Sequence, residues 1–447
     1  MYCEHFESEI CHSCPLIRTS YDDQVDQKQS AVAHVLGPVL VHGHGTRWLT
    51  PALSPERGFR TSAKLVVGGT RRRPTLGILG AHRRGIDLPG CPIQHPAINA
   101  ATPGLKRFIR MLDLTPYDVP TRNGELKNIL ITVGANNQLM IRFVLRSRDR
   151  VADIRRSLGA LQDLVPGATV VTANIHPTHE ALPEGPDEII LTKSRRIPLD
   201  FGDVRLTAGP QSFVQTNTTI ARDLYRQVAQ WASLPIDEDE HVDEGEHADA
   251  TRKNTDGKNP ATHTAPPTAD MTNEESHGLS TSSTAMTPKP RAPRSLWDLY
   301  CGVGGFAMHA ANAQIPQVTG IEVSDQAIAC AKTAAHAMGL SKDHVTFLSA
   351  DATQWVRSCD VTAPETAPDV IVVNPPRRGI GKELANWINV SGVPRVIYSS
   401  CNPDSLVKDL THLGNYTVEQ ARLFDMFPHT QHAEVAVLLK RRHESTL

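Results

Sequence analysis

Cys401 follows the apolar run Val396-Ile397-Tyr398-Ser399-Ser400 and precedes Asn402-Pro403, which puts a thiol at the carboxyl end of an expected strand. Most cysteines of this kind are small buried hydrophobes, a reading that covers Cys301, Cys330 and Cys359. Cys401 differs in standing at a polar strand end, ahead of a helix (PDSLVKDL) whose amino-terminal dipole is expected to lower its pKa. Carbon 5 of a uracil ring is a poor nucleophile until a thiolate adds to carbon 6 and makes it enolate-like. A base must afterwards remove the carbon 5 proton so that the thiolate can leave. Glu434, at the entry to the terminal strand VAVLLK, is the residue read as that base.

A methyl donor would need its own site. Asp298-Leu-Tyr300-Cys-Gly302-Val-Gly304-Gly305-Phe306 joins a strand to a helix, and its glycines allow a sharp bend and a close approach to a ligand. Glu322 ends the next strand, where an acid accepts hydrogen bonds from both hydroxyls of a ribose. The third glycine of a dinucleotide fingerprint is missing, which favours S-adenosylmethionine over NAD. Asn374-Pro-Pro-Arg377 ends a further strand on the same rim. Its Asn-Pro-Pro also suggests methylation of an exocyclic amine, but the Arg that follows weakens that analogy. A non-catalytic RNA-binding or iron–sulfur protein is the alternative from outside enzymology.

Cys3, Cys11 and Cys14 form C-x7-C-x2-C, and Cys91 lies far downstream in LPGCPIQHP. Four thiolates hold either an iron–sulfur cluster or a tetrahedral zinc, and spacing alone leaves zinc slightly ahead.

The elements that must position these groups are legible from residue 295 onward, where short apolar strands alternate with helices. That alternation predicts a doubly wound, mostly parallel, Rossmann-like α/β sheet. Residues 104–210 alternate strand patterns with a helical stretch and read as a central α+β domain. The expected organisation is an N-terminal cysteine region (1–103), this central RNA-binding domain (104–210) and a catalytic domain (211–447) interrupted by a disordered insertion (236–294). The insertion carries 12 acidic and 6 basic residues and almost no large apolar ones, so burial cannot offset its ordering entropy. Outside it the chain has 36 acids and 40 bases, with clusters at Arg71–Arg73, Arg83–Arg84 and Arg377–Arg378 that permit a nucleic-acid partner. No apolar run approaches the ~20 residues of a membrane span and the amino terminus is unlike a signal peptide, so a cytoplasmic protein is expected.

Taken together, DLYCGVGGF, GIEVS, VNPPRRGIGK, IYSSCNP, LFDMFPHTQHAEV and the upstream GPQSFVQTN resemble the bacterial RNA 5-methyluridine methyltransferase family. The resemblance implies that Gln215, Tyr300, Glu322 and Asn374 contact S-adenosylmethionine, that Cys401 is the nucleophile and Glu434 the proton acceptor, and that Phe213 meets the flipped target base. It also implies that Cys3, Cys11, Cys14 and Cys91 carry a [4Fe-4S] cluster rather than zinc. The similarity is greatest to the 23S ribosomal RNA subgroup that lacks an extra RNA-binding barrel, and a monomer is expected.

Overall fold

The computed structural model describes residues 1–40, 45–180, 184–237, 290–359 and 367–442. The chain divides into two units, Met1–Leu234 with Ala292–Leu447, and Pro235–Arg291. In the larger unit an eight-stranded sheet runs Arg47–Ala52, Tyr416–Phe424, Glu434–Arg441, Arg395–Ser400, Val370–Val373, Ser295–Leu299, Gln317–Glu322 and Val345–Ser349. The five strands from Arg395–Ser400 to Val345–Ser349 are parallel, and Glu434–Arg441 runs antiparallel to both of its neighbours.

Both faces of this sheet are covered, which is why its strands read as continuous apolar runs. Val370, Val372, Ile397, Ala436 and Leu438 point into one core, against the helices Thr218–Ala232, Gly305–Asn312 and Asp325–Ala337. Ile371, Val373, Val396, Val435 and Val437 point into the other, against Gly381–Val390 and Pro403–Leu410. The expected strand–helix alternation is present throughout this region. Two neighbours were not expected. The strand Arg47–Ala52 joins the edge of the catalytic sheet, parallel to Tyr416–Phe424. The helix Tyr21–Leu40 lays Val25, Val32 and Leu36 into the second core.

A second sheet has seven strands in the order Gly85–Asp87, Pro74–Leu79, Ser62–Gly69, Leu126–Val133, Leu139–Leu145, Ala168–Ile175 and Asp187–Ile190. The boundary expected at 103/104 falls inside the helix Pro96–Met111, which packs on this sheet through Ile98, Leu105 and Phe108. Three strands before residue 104 belong to the sheet, joined to its later strands through the pairing of Ser62–Val66 with Asn128–Thr132. The helical stretch expected at 153–165 is present as Val151–Arg156 and Leu158–Leu164, separated at Ser157.

Within the smaller unit, Ile236 and Arg291 form an antiparallel bridge through hydrogen bonds of 2.8 and 3.0 Å. Residues 238–289 of the expected insertion, with His241, His247, His263 and His277, lie outside the described residues. Because the chain is already pinched at that bridge, replacing residues 240–290 with a short turn should shift the melting temperature by less than ~2 °C. A calorimetric fall beyond ~5 °C would mean that the segment packs. Among the described residues, no helix is long and apolar enough to cross a membrane.

Candidate active site

Five neighbouring strand ends share one rim of the catalytic sheet. In order across it they present Glu434, Cys401, Asn374, Tyr300 and Glu322, on strands that lie roughly 4.8 Å apart.

The pairing of Arg395–Ser400 with Glu434–Arg441 ends at Ser400 opposite Val435, so Cys401 and Glu434 face each other one step beyond the last registered pair. Glu434 is only 2% exposed, and Ser399 Oγ donates to its Oε1 at 2.6 Å. Burial pushes its carboxyl up to about 7, with the Ser399 hydrogen bond acting the other way. A carboxyl poised there takes and releases a proton at neutral pH.

The Cys401 thiol is raised by burial and by the nearby charge of Glu434. The Arg377 guanidinium offsets part of this through its charge and a hydrogen bond to the thiol. Burial and Glu434 together leave the thiol above its ordinary value, and Arg377 is the cation that acts to lower it. From the sequence, Arg377 reads as part of a basic cluster and as the residue that weakens the Asn-Pro-Pro analogy, not as a partner of Cys401. The one sequence signal for its role is its place three residues after Asn374, on a rim loop.

That loop is built by Asp409. Its carboxylate accepts from Ile380 N at 2.8 Å, from Gly381 N at 3.1 Å and from Tyr398 Oη at 2.6 Å. Gly379 has a φ of +84°, and a Cβ there would lie 2.2 Å from Asp409 Oδ2. Asn402 Nδ2 donates to Arg377 O at 2.9 Å and ties this loop to the Cys401 turn. A cavity of about 320 Å³ opens in front of Cys401, lined by Arg377, Asn402, Gln431 and His432 and by Lys28 and Val32 of the helix Tyr21–Leu40.

Further along the rim, Glu322 accepts from Gly302 N at 3.2 Å and from Ser324 N at 3.0 Å, which fixes both oxygens beside the glycine loop. Gly304, with φ +88°, leaves no room for a Cβ against Phe347, which would stand 2.9 Å away. Tyr300 is half-buried and also left-handed, at φ +71°. Asp298 is fully buried and pushed up to about 7; Ala307 N donates to its Oδ2 at 2.9 Å, while its Oδ1 has no partner among the described residues. Gln215 is buried and Phe213 is 71% exposed on the same segment. That segment is held by hydrogen bonds from Gln211 N to Gln326 Oε1 and from Asn217 Nδ2 to Ser54 Oγ.

Cys3, Cys11, Cys14 and Cys91 are all unpaired and half-buried. Burial raises the Cys14 thiol to about 12, and Cys91, Cys11 and Cys3 push it the same way, so the four sulfurs share one neighbourhood. Arg60 lies close enough to Cys91 and Cys14 to feel both charges. Among the described residues, no three His, Cys, Asp or Glu side chains are grouped as metal ligands.

A doubly wound sheet with a glycine loop, an acid at the end of the neighbouring strand and a polar rim at its carboxyl ends defines an α/β methyltransferase of the S-adenosylmethionine-dependent class. Residues 284–442 match the family model described as tRNA (uracil-5-)-methyltransferase. The chain is 38% identical over 440 residues to the 23S rRNA (uracil(747)-C(5))-methyltransferase of Shewanella amazonensis, covering 98% of this chain and 97% of that protein. It is also 38% identical over 445 residues to the protein of that description from Yersinia pseudotuberculosis, covering 99% and 100%. The solved structure of Pyrococcus abyssi tRNA (uracil-54, C5)-methyltransferase with S-adenosyl-L-homocysteine shares the fold, with a TM-score of 0.67 at 20% identity over 95% of this chain and 85% of that one. The chain belongs to the RNA uracil-5 methyltransferase family.

Proposed function

We propose that this protein methylates carbon 5 of one uridine in 23S ribosomal RNA in the bacterial cytoplasm, with Cys401 as nucleophile and Glu434 as proton acceptor. The observation that carries this reading is the strand register that sets Cys401 opposite Glu434, with Arg377 on the thiol. Amine methylation has no use for a thiol and a buried carboxylate so paired.

S-adenosylmethionine, when bound, supplies an electrophilic methyl group. Glu322 holds its ribose, Tyr300, Gln215 and Asn374 complete its pocket, and exposed Phe213 offers a ring for the target base. Arg377 stabilises the Cys401 thiolate as it adds to carbon 6 of the uracil. Once carbon 5 carries the methyl group, Glu434 takes the carbon 5 proton and the carbon 6–sulfur bond breaks, returning the electron pair to sulfur.

We assign a [4Fe-4S] cluster to Cys3, Cys11, Cys14 and Cys91. Four thiols in one half-buried neighbourhood beside the Arg60 cation suit an anionic thiolate-ligated centre, whose binding would draw off the protons that burial retains. Its work here would be to cross-link the N-terminal segment to the Cys91 loop. RNA contacts extend to the seven-stranded sheet, where Arg122, Arg83 and Lys127 stand near enough to His179 to add to the desolvation that lowers its pKa.

Incubation of unmodified 23S ribosomal RNA with the protein and S-adenosylmethionine, followed by mass-spectrometric mapping, should yield 5-methyluridine at one position. A methylated exocyclic amine, or no product, would overturn the assignment.

A further inference from the structure

The helix Tyr21–Leu40 carries a Lys in its buried stripe. Lys28 is 3% exposed, one turn from Val25 and Val32. Its Nζ lies 2.5 Å from Asp425 Oδ1 and donates to Phe427 O at 2.9 Å. Asp425 is fully buried and also accepts from Tyr21 Oη at 2.7 Å. An apolar pair would seat a helix as well as this ion pair does, since desolvation consumes most of the attraction between buried charges. What the ion pair adds is a fixed register between the helix and the loop that runs from Asp425 to Glu434.

Gln24, one turn earlier, grips the middle of that loop. His429 N donates to Gln24 Oε1 at 2.8 Å, and Gln24 Nε2 lies 3.3 Å from His429 Nδ1. His429 is held left-handed at φ +65°, a conformation that a residue with a Cβ keeps only when its surroundings impose it. Leu16 N donates to His429 O at 3.0 Å, so the cysteine-bearing segment joins the same clamp. Beyond His429 the chain passes Gln431 and His432, which line the Cys401 cavity, and reaches Glu434.

We infer that Lys28 and Gln24 are positioning residues for proton removal: they fix the Asp425–Glu434 loop, and through it the proton acceptor opposite Cys401. This rests on the assignment of Glu434 made above. Neither residue needs to touch RNA or the methyl donor to act.

The test is tritium release from 23S ribosomal RNA labelled with [5-³H]uridine, which reports removal of the carbon 5 proton alone. Lys28→Met should slow release at saturating RNA by about 10²-fold, the scale of an ångström-sized misplacement. KM for RNA should not rise, since a stalled covalent intermediate can only lower it, the calorimetric affinity for S-adenosylmethionine should be unchanged, and covalent protein–RNA adduct should accumulate. The double variant Lys28→Met/Asp425→Leu leaves no unpaired charge and should regain the melting temperature while release stays slow. Recovery of release along with stability, or a loss confined to KM, would overturn the inference. Gln24→Leu, which buries no charge, gives a second reading of kcat against KM should the Lys28 variant not fold. Glu434→Gln is run in parallel, and normal release from it would instead refute the assignment of the proton acceptor.

Discussion

Cys401→Ala should abolish methyl transfer, whereas Glu434→Gln should stop the reaction one step later and leave protein and RNA covalently joined. In the first variant nothing adds to carbon 6, so carbon 5 never becomes nucleophilic and neither product nor adduct forms. In the second, addition and methylation proceed on the intact thiol, but the carbon 5 proton has no acceptor and sulfur cannot leave. Denaturing electrophoresis with labelled RNA separates the two, since only Glu434→Gln should give a retarded band. Turnover of Cys401→Ala near the wild-type rate would remove the covalent mechanism altogether. The pH dependence follows from the same burial. Elimination by the wild type should accelerate as pH rises toward about 7, where Glu434 ionises, and level off above it.

The stability of the fold should follow with a definite sign. The folded-state pKa of Glu434 is raised from 4.5 to about 7, so the buried acid is neutral where an unfolded chain would already be ionised. Its contribution is fully present below about 4.5 and is lost as pH rises to about 7, a loss of order 3 kcal/mol by proton linkage. Glu434→Gln removes that loss, and its melting temperature should exceed the wild type's by more at pH 8 than at pH 5. Asp298, raised to about 7 by its own burial, remains in both proteins and keeps some of the pH slope in each.

Cys91→Ser should eliminate bound iron as completely as Cys11→Ser, because a cubane needs each of its four corners held. Protein purified without oxygen should be brown and hold about four irons per chain, against none in either variant. The Cys91 carbonyl is fixed within its own loop by Gln94 N at 3.1 Å and Asn99 Nδ2 at 3.0 Å. The opposite side, Cys3 to Cys14, is tied down by few bonds, among them His5 Nε2 to Pro89 O at 2.7 Å. Loss of the metal should therefore expose the first 20 residues, and not the Cys91 loop, to limited proteolysis. Colourless protein with one tightly bound zinc and no iron would assign these cysteines to a zinc site.

The parallel strands of the catalytic sheet were legible in the sequence because each is buried on both faces and spells out its own apolar run. The glycine loop and Glu322 were legible for a similar reason: strand, turn and helix follow one another within the span that forms the ligand cradle. Cys401 was visible from its strand-end position alone. The N-terminal helix and the Arg47–Ala52 strand were not, and neither were the roles of Ser399, Arg377, Gln24 and Lys28. Lys28 meets Asp425 across 397 residues and Gln24 meets His429 across 405. Local periodicity reports how much of a segment is buried, but not what it is buried against. A lysine in an apolar stripe therefore reads as an interruption until its partner is seen. Likewise Ser399 and Glu434, 35 residues apart, become partners only through the antiparallel register of two strands, and a slip of one residue would turn them to opposite faces. Residue types and their order along the chain determined which chemistry was available. Non-local pairing decided which of those groups stand close enough to share a proton, because that distance is set by sheet register and helix docking rather than by spacing along the chain.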